Sequence, residues 1–280
     1  MTVVESAPAK INLSLEVVGR RRDGYHELAT VLQTVGLADE LSFEESDGLS
    51  LACDDPSLAT DGNLVLRAAR ALGGGRGARI HLRKRIPVAA GLGGGSADAA
   101  ATLRGLARLW GLRIGEGELL RTAATLGADV PFLLRGGTAF ATGLGDQLEA
   151  LPDIPSMWAV LHLPESGPAD KTARAYRALQ PEHFSDGRLT HELASWIWAG
   201  APLRLERWPN TFERVADQLY PSLATARLRL RGAGAPWVRL AGAGPTLFTM
   251  VGDRSAAEAI ADRLDAPGQT WCVPAHRRLG

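Results

Sequence analysis

The chain has 280 residues, 45% hydrophobic and 22% charged, enough to bury a sizeable core, and its length favours two domains over one. Its 31 basic and 31 acidic side chains cancel, which excludes a global field for recruiting nucleic acid or an anionic membrane and leaves open only a local basic pocket. No apolar run approaches the roughly 18 residues of a membrane span, MTVVESAPAK lacks the marks of a signal peptide, and the distant pair Cys53 and Cys272 fits a reducing, cytoplasmic setting.

In AKINLSLEVV the residues Ile11, Leu13, Leu15 and Val17 alternate with Lys10, Asn12, Ser14 and Glu16. That is the period of a half-buried strand, and it predicts that Lys10, Asn12 and Ser14 share one face. GRRRDGYHEL follows as a basic loop, and ELSFEE and LSLAC read as short strands. NLVLRAARAL reads as a helix and ARIHLRKRI as a return to alternation. After the glycines at 91–95, Ala99, Leu103, Leu106, Ala107 and Trp110 recur at helical spacing with Arg104 and Arg108 opposite, which predicts a helix that buries one stripe. EGELLRTAATLG predicts a second helix ending at Gly127. The proline-bearing LPDIPS, 151–156, is the candidate domain boundary. Beyond it we expect a strand at MWAVLHLP and helical stretches near 171–180, 188–200 and 211–229. WVRLAGAGPTLFTMV, a helix SAAEAIADRL and a last strand TWCVPA complete an α+β pattern.

RIPVAAGLGGGSADAAATL, 85–103, raises the functional question. A strand, GLGGGS and a helix opening near Ser96 would aim free backbone amides and the positive end of a helix dipole at one spot, an arrangement suited to phosphate. The plain alternative is a turn with Ser96 as N-cap and Asp98 as a first-turn acid. No Gly-Lys-Ser/Thr closes the loop, so it is not a Walker A sequence, and Ser96 in the third glycine position argues against a dinucleotide fingerprint. Among the basic residues only Lys10, Lys84 and Lys171 are lysines. A lysine kept in a chain that otherwise uses arginine suggests a compact point charge, against the alternative of a solvated strand face for Lys10. Asp129, among Ala128, Val130 and Phe132, is a candidate proton acceptor with Lys10 as its cation, although an Asp two residues before Pro131 also suits a turn. The histidines show no metal-ligand spacing.

IPVAAGLGGGSADAA resembles the ATP-binding loop of the GHMP kinases. PAKINL at 8–13 is similar to that family's N-terminal motif and LAGAGPTLF at 240–248 to its C-terminal glycine-rich motif, so the resemblance spans nearly the whole chain. It implies an α+β, two-domain GHMP kinase fold. Residues 1–153 would form a ribosomal protein S5 domain 2-like half with the ATP loop and catalytic residues, and 154–280 a ferredoxin-like α/β sandwich. ATP and Mg²⁺ are the implied cofactors and a small-molecule alcohol the implied partner, with no nucleic acid or membrane and the oligomeric state open. PAKINLSLEVVGRRRDGYHEL together with LGADVPFLL is similar to members whose substrate is a cytidine diphosphate-linked methylerythritol, phosphorylated on its 2-hydroxyl. Another small alcohol, of homoserine or mevalonate type, and a non-catalytic nucleotide-binding regulator are the alternatives.

The resemblance assigns Asp129 as base, Lys10 as its electrostatic partner and Asn12 to substrate. It places the cytosine against a stacking Tyr25 and a hydrogen-bonding His26, with Tyr176 closing the other side and Thr172 nearby. Asn63 and Lys84 would flank adenine and phosphates. Pro87, Val88, Ala89, Ala90, Gly91, Leu92, Gly93, Gly94, Gly95, Ser96 and Ala97 would form the ATP loop, its glycines leaving room for the triphosphate. Ala97 and Ala243 replace hydroxyl residues usual in the family, a departure that bears on metal coordination, and no metal ligand is assigned.

Overall fold

In a computed structural model of the chain, which describes residues 1–168 and 170–276, the first half is built on two long strands. β1 (Thr2–Arg20) and β2 (His26–Glu45) pair antiparallel along their whole length. β3 (Leu49–Cys53) lies parallel to β4 (Ala78–Arg83), which pairs with the end of β2. β5 (Thr138–Thr142) pairs with the middle of β2, and β6 (Gln147–Leu151) completes a six-stranded sheet. Four helices belong to this half: α1 (Leu64–Gly73), α2 (Gly94–Leu109), α3 (Glu116–Leu126) and α4 (Val130–Arg135).

A second, antiparallel sheet runs in the order β10-β7-β9-β8, from β7 (Trp158–Leu163), β8 (Arg239–Leu240), β9 (Leu247–Val251) and β10 (Gln269–Pro274). Around it lie α5 (Lys171–Ala178), α7 (Glu213–Leu219), α8 (Leu223–Gly232) and α9 (Arg254–Arg263), while α6 (Arg188–Trp198) packs on β1, β2 and β6 of the first sheet. The segment expected to be one helix at 211–229 is two, because Pro221 has no N–H to continue the ladder and α7 stops before it. Between the sheets, Asn210 forms a parallel bridge with Leu15 of β1; one buried cluster runs from Val3 to Met250 and a second from Leu15 to Ile260.

Two sequence expectations change at the centre. β1 is not half-buried: every residue from Ala7 to Val17 is buried, since α2 and α4 pack on it while α6 also reaches it. A bulge between Asn12 and Ser14 shifts the register against β2 and so reverses the alternation beyond it. Ser14 therefore leaves the face of Lys10 and Asn12 and bonds Thr190 Oγ1 at 2.7 Å, while Leu15 joins them on the cavity wall.

α2 also buries far more than a stripe, with Ala97 to Leu103 all buried. Even Arg104 is drawn in, pairing through Nε with Glu5 at 3.1 Å. The helix lies so close to β2 that a Cβ on Gly105 would sit 2.3 Å from Phe43 Cε2. Gly105→Ala therefore gains up to about 1 kcal/mol of helix propensity but overpacks the core by about 1–3 kcal/mol or more. We expect a net loss of stability, seen as a lower urea midpoint with unchanged m-value.

Candidate active site

The first i→i−4 bond of α2 runs from the Ala97 N–H to the Gly93 carbonyl at 2.9 Å, and Gly93 is the N-cap at φ 76°. The amides of Gly94, Gly95 and Ser96 thus precede the helical ladder and are open to an anion at its positive end. Ser96 is inside the first turn and caps nothing. Residues 87–96 all line one cavity of 1520 Å³. Cavities for a single drug-sized ligand run roughly 300–1,000 Å³, so this one has room for two substrates together. Ala97 is a correction: it lies behind the loop, 1% exposed, with its amide spent on Gly93.

The glycines do not serve a ligand alone. A Cβ on Gly91 would lie 2.4 Å from the Ala241 carbonyl oxygen and 2.8 Å from that of Gly244. At that position the missing side chain lets the loop touch the C-terminal glycine turn. The contact is reinforced by a Thr246 N–H to Ala90 carbonyl bond of 3.2 Å.

Lys10 and Asp129 meet on the wall of this cavity, Nζ to Oδ2 3.5 Å. Lys10 is buried and its ammonium donates to Asn12 Oδ1 at 3.0 Å. Asn12 in turn donates to Thr30 Oγ1 at 2.8 Å, and Thr30 to the Ser14 carbonyl at 2.7 Å. The Lys10 N–H bonds the Leu92 carbonyl at 2.9 Å, tying the strand to the phosphate loop. Asp129 occupies the N-cap of α4 without making a side-chain cap bond. Its carboxylate is thus turned to Lys10 and the cavity, not to the turn.

Lys84 also lines the cavity, but its ammonium is gripped by Asp39 at 2.5 Å and Asp98 at 2.8 Å. Burial draws its pKa down, and the two carboxylates outweigh that and leave it raised. Burial pushes the Asp98 carboxyl up to about 7, Lys84 opposing and Asp39 adding. Asn63 lies on the wall too, yet its Oδ1 caps α1 at the Val65 N–H, 2.9 Å, and its Nδ2 bonds the Leu58 carbonyl. Its amide is committed to the fold.

At the aromatic end, Tyr25 is 64% exposed and lines the cavity. His26 stacks on Tyr176, centroids 4.8 Å apart at 22°, and meets the edge of Phe184 at 5.8 Å. Tyr176 was expected to close the far side of a base; here that face is covered by His26, so Tyr176 backs the imidazole. Burial and then Arg20 lower the His26 pKa from 6.5, keeping the ring neutral at pH 7 with one donor and one acceptor. Thr172 lies beside Tyr176 on α5, also on the wall.

Residues 63–137 match the family described as GHMP kinases N terminal domain, and residues 189–270 that described as GHMP kinases C terminal. The chain is 44% identical over 267 residues to the 4-diphosphocytidyl-2-C-methyl-D-erythritol kinase of Dehalococcoides mccartyi, with 94% of each covered. It belongs to the GHMP kinases. A crystal structure of 4-(cytidine 5'-diphospho)-2C-methyl-D-erythritol kinase matches with a TM-score of 0.82 at 36% identity, over 98% of this chain and 99% of that one. Homoserine kinase from Cytophaga hutchinsonii, TM-score 0.74 at 18% identity over 99% and 95%, shares the fold.

Within this GHMP kinase, sequence reasoning missed Asp39, Phe184 and the placement of Lys171, all of which face the site or its supports. The scarcity of lysine was a usable signal for the third. Among the described residues no helix is long and apolar enough to cross a membrane, and no three His, Cys, Asp or Glu side chains are grouped to hold a metal.

Asp98 generates a pH prediction. Its carboxyl titrates near 7 folded and near 3.8 unfolded, so between these values the folded state holds the extra proton and stability falls as pH rises. In Asp98→Asn that part of the decline should vanish. Unfolding free energies from urea titrations at about pH 5 and pH 7.5 measure it, and equal declines in both proteins would contradict the assignment.

Proposed function

We propose that this enzyme transfers the γ-phosphoryl group of MgATP to the 2-hydroxyl of 4-diphosphocytidyl-2-C-methyl-D-erythritol. The observation that carries the reading is the Lys10–Asp129 pair, 3.5 Å apart, in one cavity with an anion loop and an aromatic pocket. The similarity to 4-diphosphocytidyl-2-C-methyl-D-erythritol kinases over almost the full chain supports the substrate. Phosphoryl transfer asks little covalent chemistry of a protein, mainly alignment and charge on the transferring oxygens. The amides of Gly94, Gly95 and Ser96 hold the phosphates, and Mg²⁺ enters on them as part of the MgATP substrate. Asp129 takes the proton of the hydroxyl as it attacks, and Lys10, fixed by Asn12, steadies the charge that passes between them. Tyr25 stacks on the cytosine while neutral His26, backed by Tyr176, reads its hydrogen-bonding edge.

The same proposal divides the chain at 153/154 into a ribosomal protein S5 domain 2-like half and a ferredoxin-like half. One sheet on each side of the 152–157 segment supports it. Two free cysteines support a cytoplasmic setting.

An ATP-consumption assay should show turnover with the cytidine diphosphate-linked alcohol and none comparable with mevalonate or homoserine; similar rates on these would leave only the broader kinase assignment. Asp129→Asn keeps the side-chain shape, so kcat should fall by about 10²–10⁴ while both substrates still bind. Near-normal kcat would remove the general base from the mechanism. Tyr25→Ala should raise the KM of the alcohol by the loss of about 1–3 kcal/mol of stacking and leave that for ATP nearly unchanged. Equal effects on both would put the base elsewhere.

A further inference from the structure

All three lysines of the chain line the same cavity, and every other Lys/Arg position is arginine. Lys10 and Lys84 have partners of opposite charge. Lys171, the first residue of α5, has a different setting: it is 7% exposed, and its Nζ donates to the Gly244 carbonyl at 2.6 Å. That carbonyl is the one a Cβ on Gly91 would approach to 2.8 Å. The ammonium is therefore held at the seam between the C-terminal turn and the phosphate loop. One carbonyl satisfies one of its three donors, and among the described residues no carboxylate pairs with it.

We propose that Lys171 is a second ammonium of the transfer centre beside Lys10, contacting the transferring phosphoryl group and exchanging part of its bond to Gly244 for a phosphate oxygen. The inference rests on the kinase reading above and adds a residue to it. A buried ammonium with one neutral partner is costly until an anion reaches it, which marks a ligand contact and not a structural ion pair. The charged groups that act on it are Lys10 on β1 and Asp129 ahead of α4. Burial, then Lys10, pull the Lys171 pKa down to about 8, with Asp129 opposing. Tyr176 on the same helix stays neutral, its pKa raised by burial and by Asp129. A phosphate oxygen beside Lys171 would raise its pKa again, so nucleotide binding near pH 8 should draw in protons.

Calorimetry on the full chain tests this with MgATP and MgADP at about pH 8, in two buffers of different ionisation enthalpy, for wild type, Lys171→Met and Lys171→Arg. Loss of a charged hydrogen bond should weaken MgATP binding to Lys171→Met about ten- to hundredfold, leaving MgADP within about twofold, because ADP lacks the phosphoryl group in question. Wild type should take up as much as about half a proton per MgATP beyond what either variant takes up. Asp98, titrating near 7, is present in all three proteins and cancels in the comparison. Equal weakening of ATP and ADP, no weakening of either, or proton uptake unchanged in the variants overturns the proposal. Should Lys171→Met fail to fold, the proton uptake of Lys171→Arg decides alone. Turnover of the cytidyl alcohol by wild type is measured in parallel. Turnover without the ATP/ADP difference removes Lys171 alone, and the difference without turnover removes the substrate assignment and leaves Lys171 in place.

Discussion

A buried ammonium is the constraint around which this molecule is arranged. Lys10 is 6% exposed, and a charge that deep persists only if other groups meet it. Each group that does so comes from a different element: Asn12 from its own strand, Thr30 behind it from β2, and Asp129 from the turn before α4. The backbone of the same residue holds the Leu92 carbonyl. Satisfying one side chain and its amide thus fixes the sheet, the phosphate loop and the candidate base relative to one another. The geometry of the candidate site and the local stability have a common cause, since losing the partners of Lys10 would disturb both.

The second sheet is brought to this point by close backbone approach. Asn210 sits between the halves, its Nδ2 donating to the carbonyls of Leu240 and Gly242, each at 2.8 Å. Its neighbours Pro209 and Thr211 bond the Leu15 backbone on both sides, at 2.8 Å each. That places the turn so that a Cβ on Gly242 would lie 3.6 Å from Lys10 Nζ. Gly91 of the N-terminal loop and Gly242 of the C-terminal turn are therefore one requirement read twice. A Cβ on Gly91 would meet the Ala241 and Gly244 carbonyls, and one on Gly242 would lie 3.1 Å from the Gly91 carbonyl oxygen, so these two positions are bare because the other segment passes there.

This explains which parts of the structure were legible in the sequence. Lys10, Asp129 and the glycine loop each stand within a short motif whose local pattern carries its meaning, and the structure brings all three to one cavity. The bulge after Asn12 was not legible, because alternation of residue types continues through Leu13 while the register against β2 does not. Asp39 was invisible for another reason. It is 45 residues from Lys84, and they meet only because β2 and β4 pair Glu40 with Arg83. Likewise, the stripe read on α2 was too narrow because crowding from Phe43 and Glu5 is set by tertiary neighbours, not by the helix's own period.

The Asp39–Lys84–Asp98 trio also bears on where the attraction for phosphate resides. Two carboxylates share the single ammonium of Lys84, and burial pushes the Asp98 carboxyl up to about 7. The trio thus presents little net positive charge to an anion, although Lys84 lines the cavity. Asp39 meanwhile accepts the amides of Arg85 and Ile86, at 2.5 and 2.8 Å, and so pins the strand that leads into the loop. Lys84 is best understood as the pin of that corner: it ties the N-terminal half of α2 to β2 through Asp98 and Asp39. Under the proposed function the pull on the phosphates then falls to the open amides at the start of α2 and to the ammonium groups across the cavity, which are the groups whose partners leave them able to respond when an anion arrives.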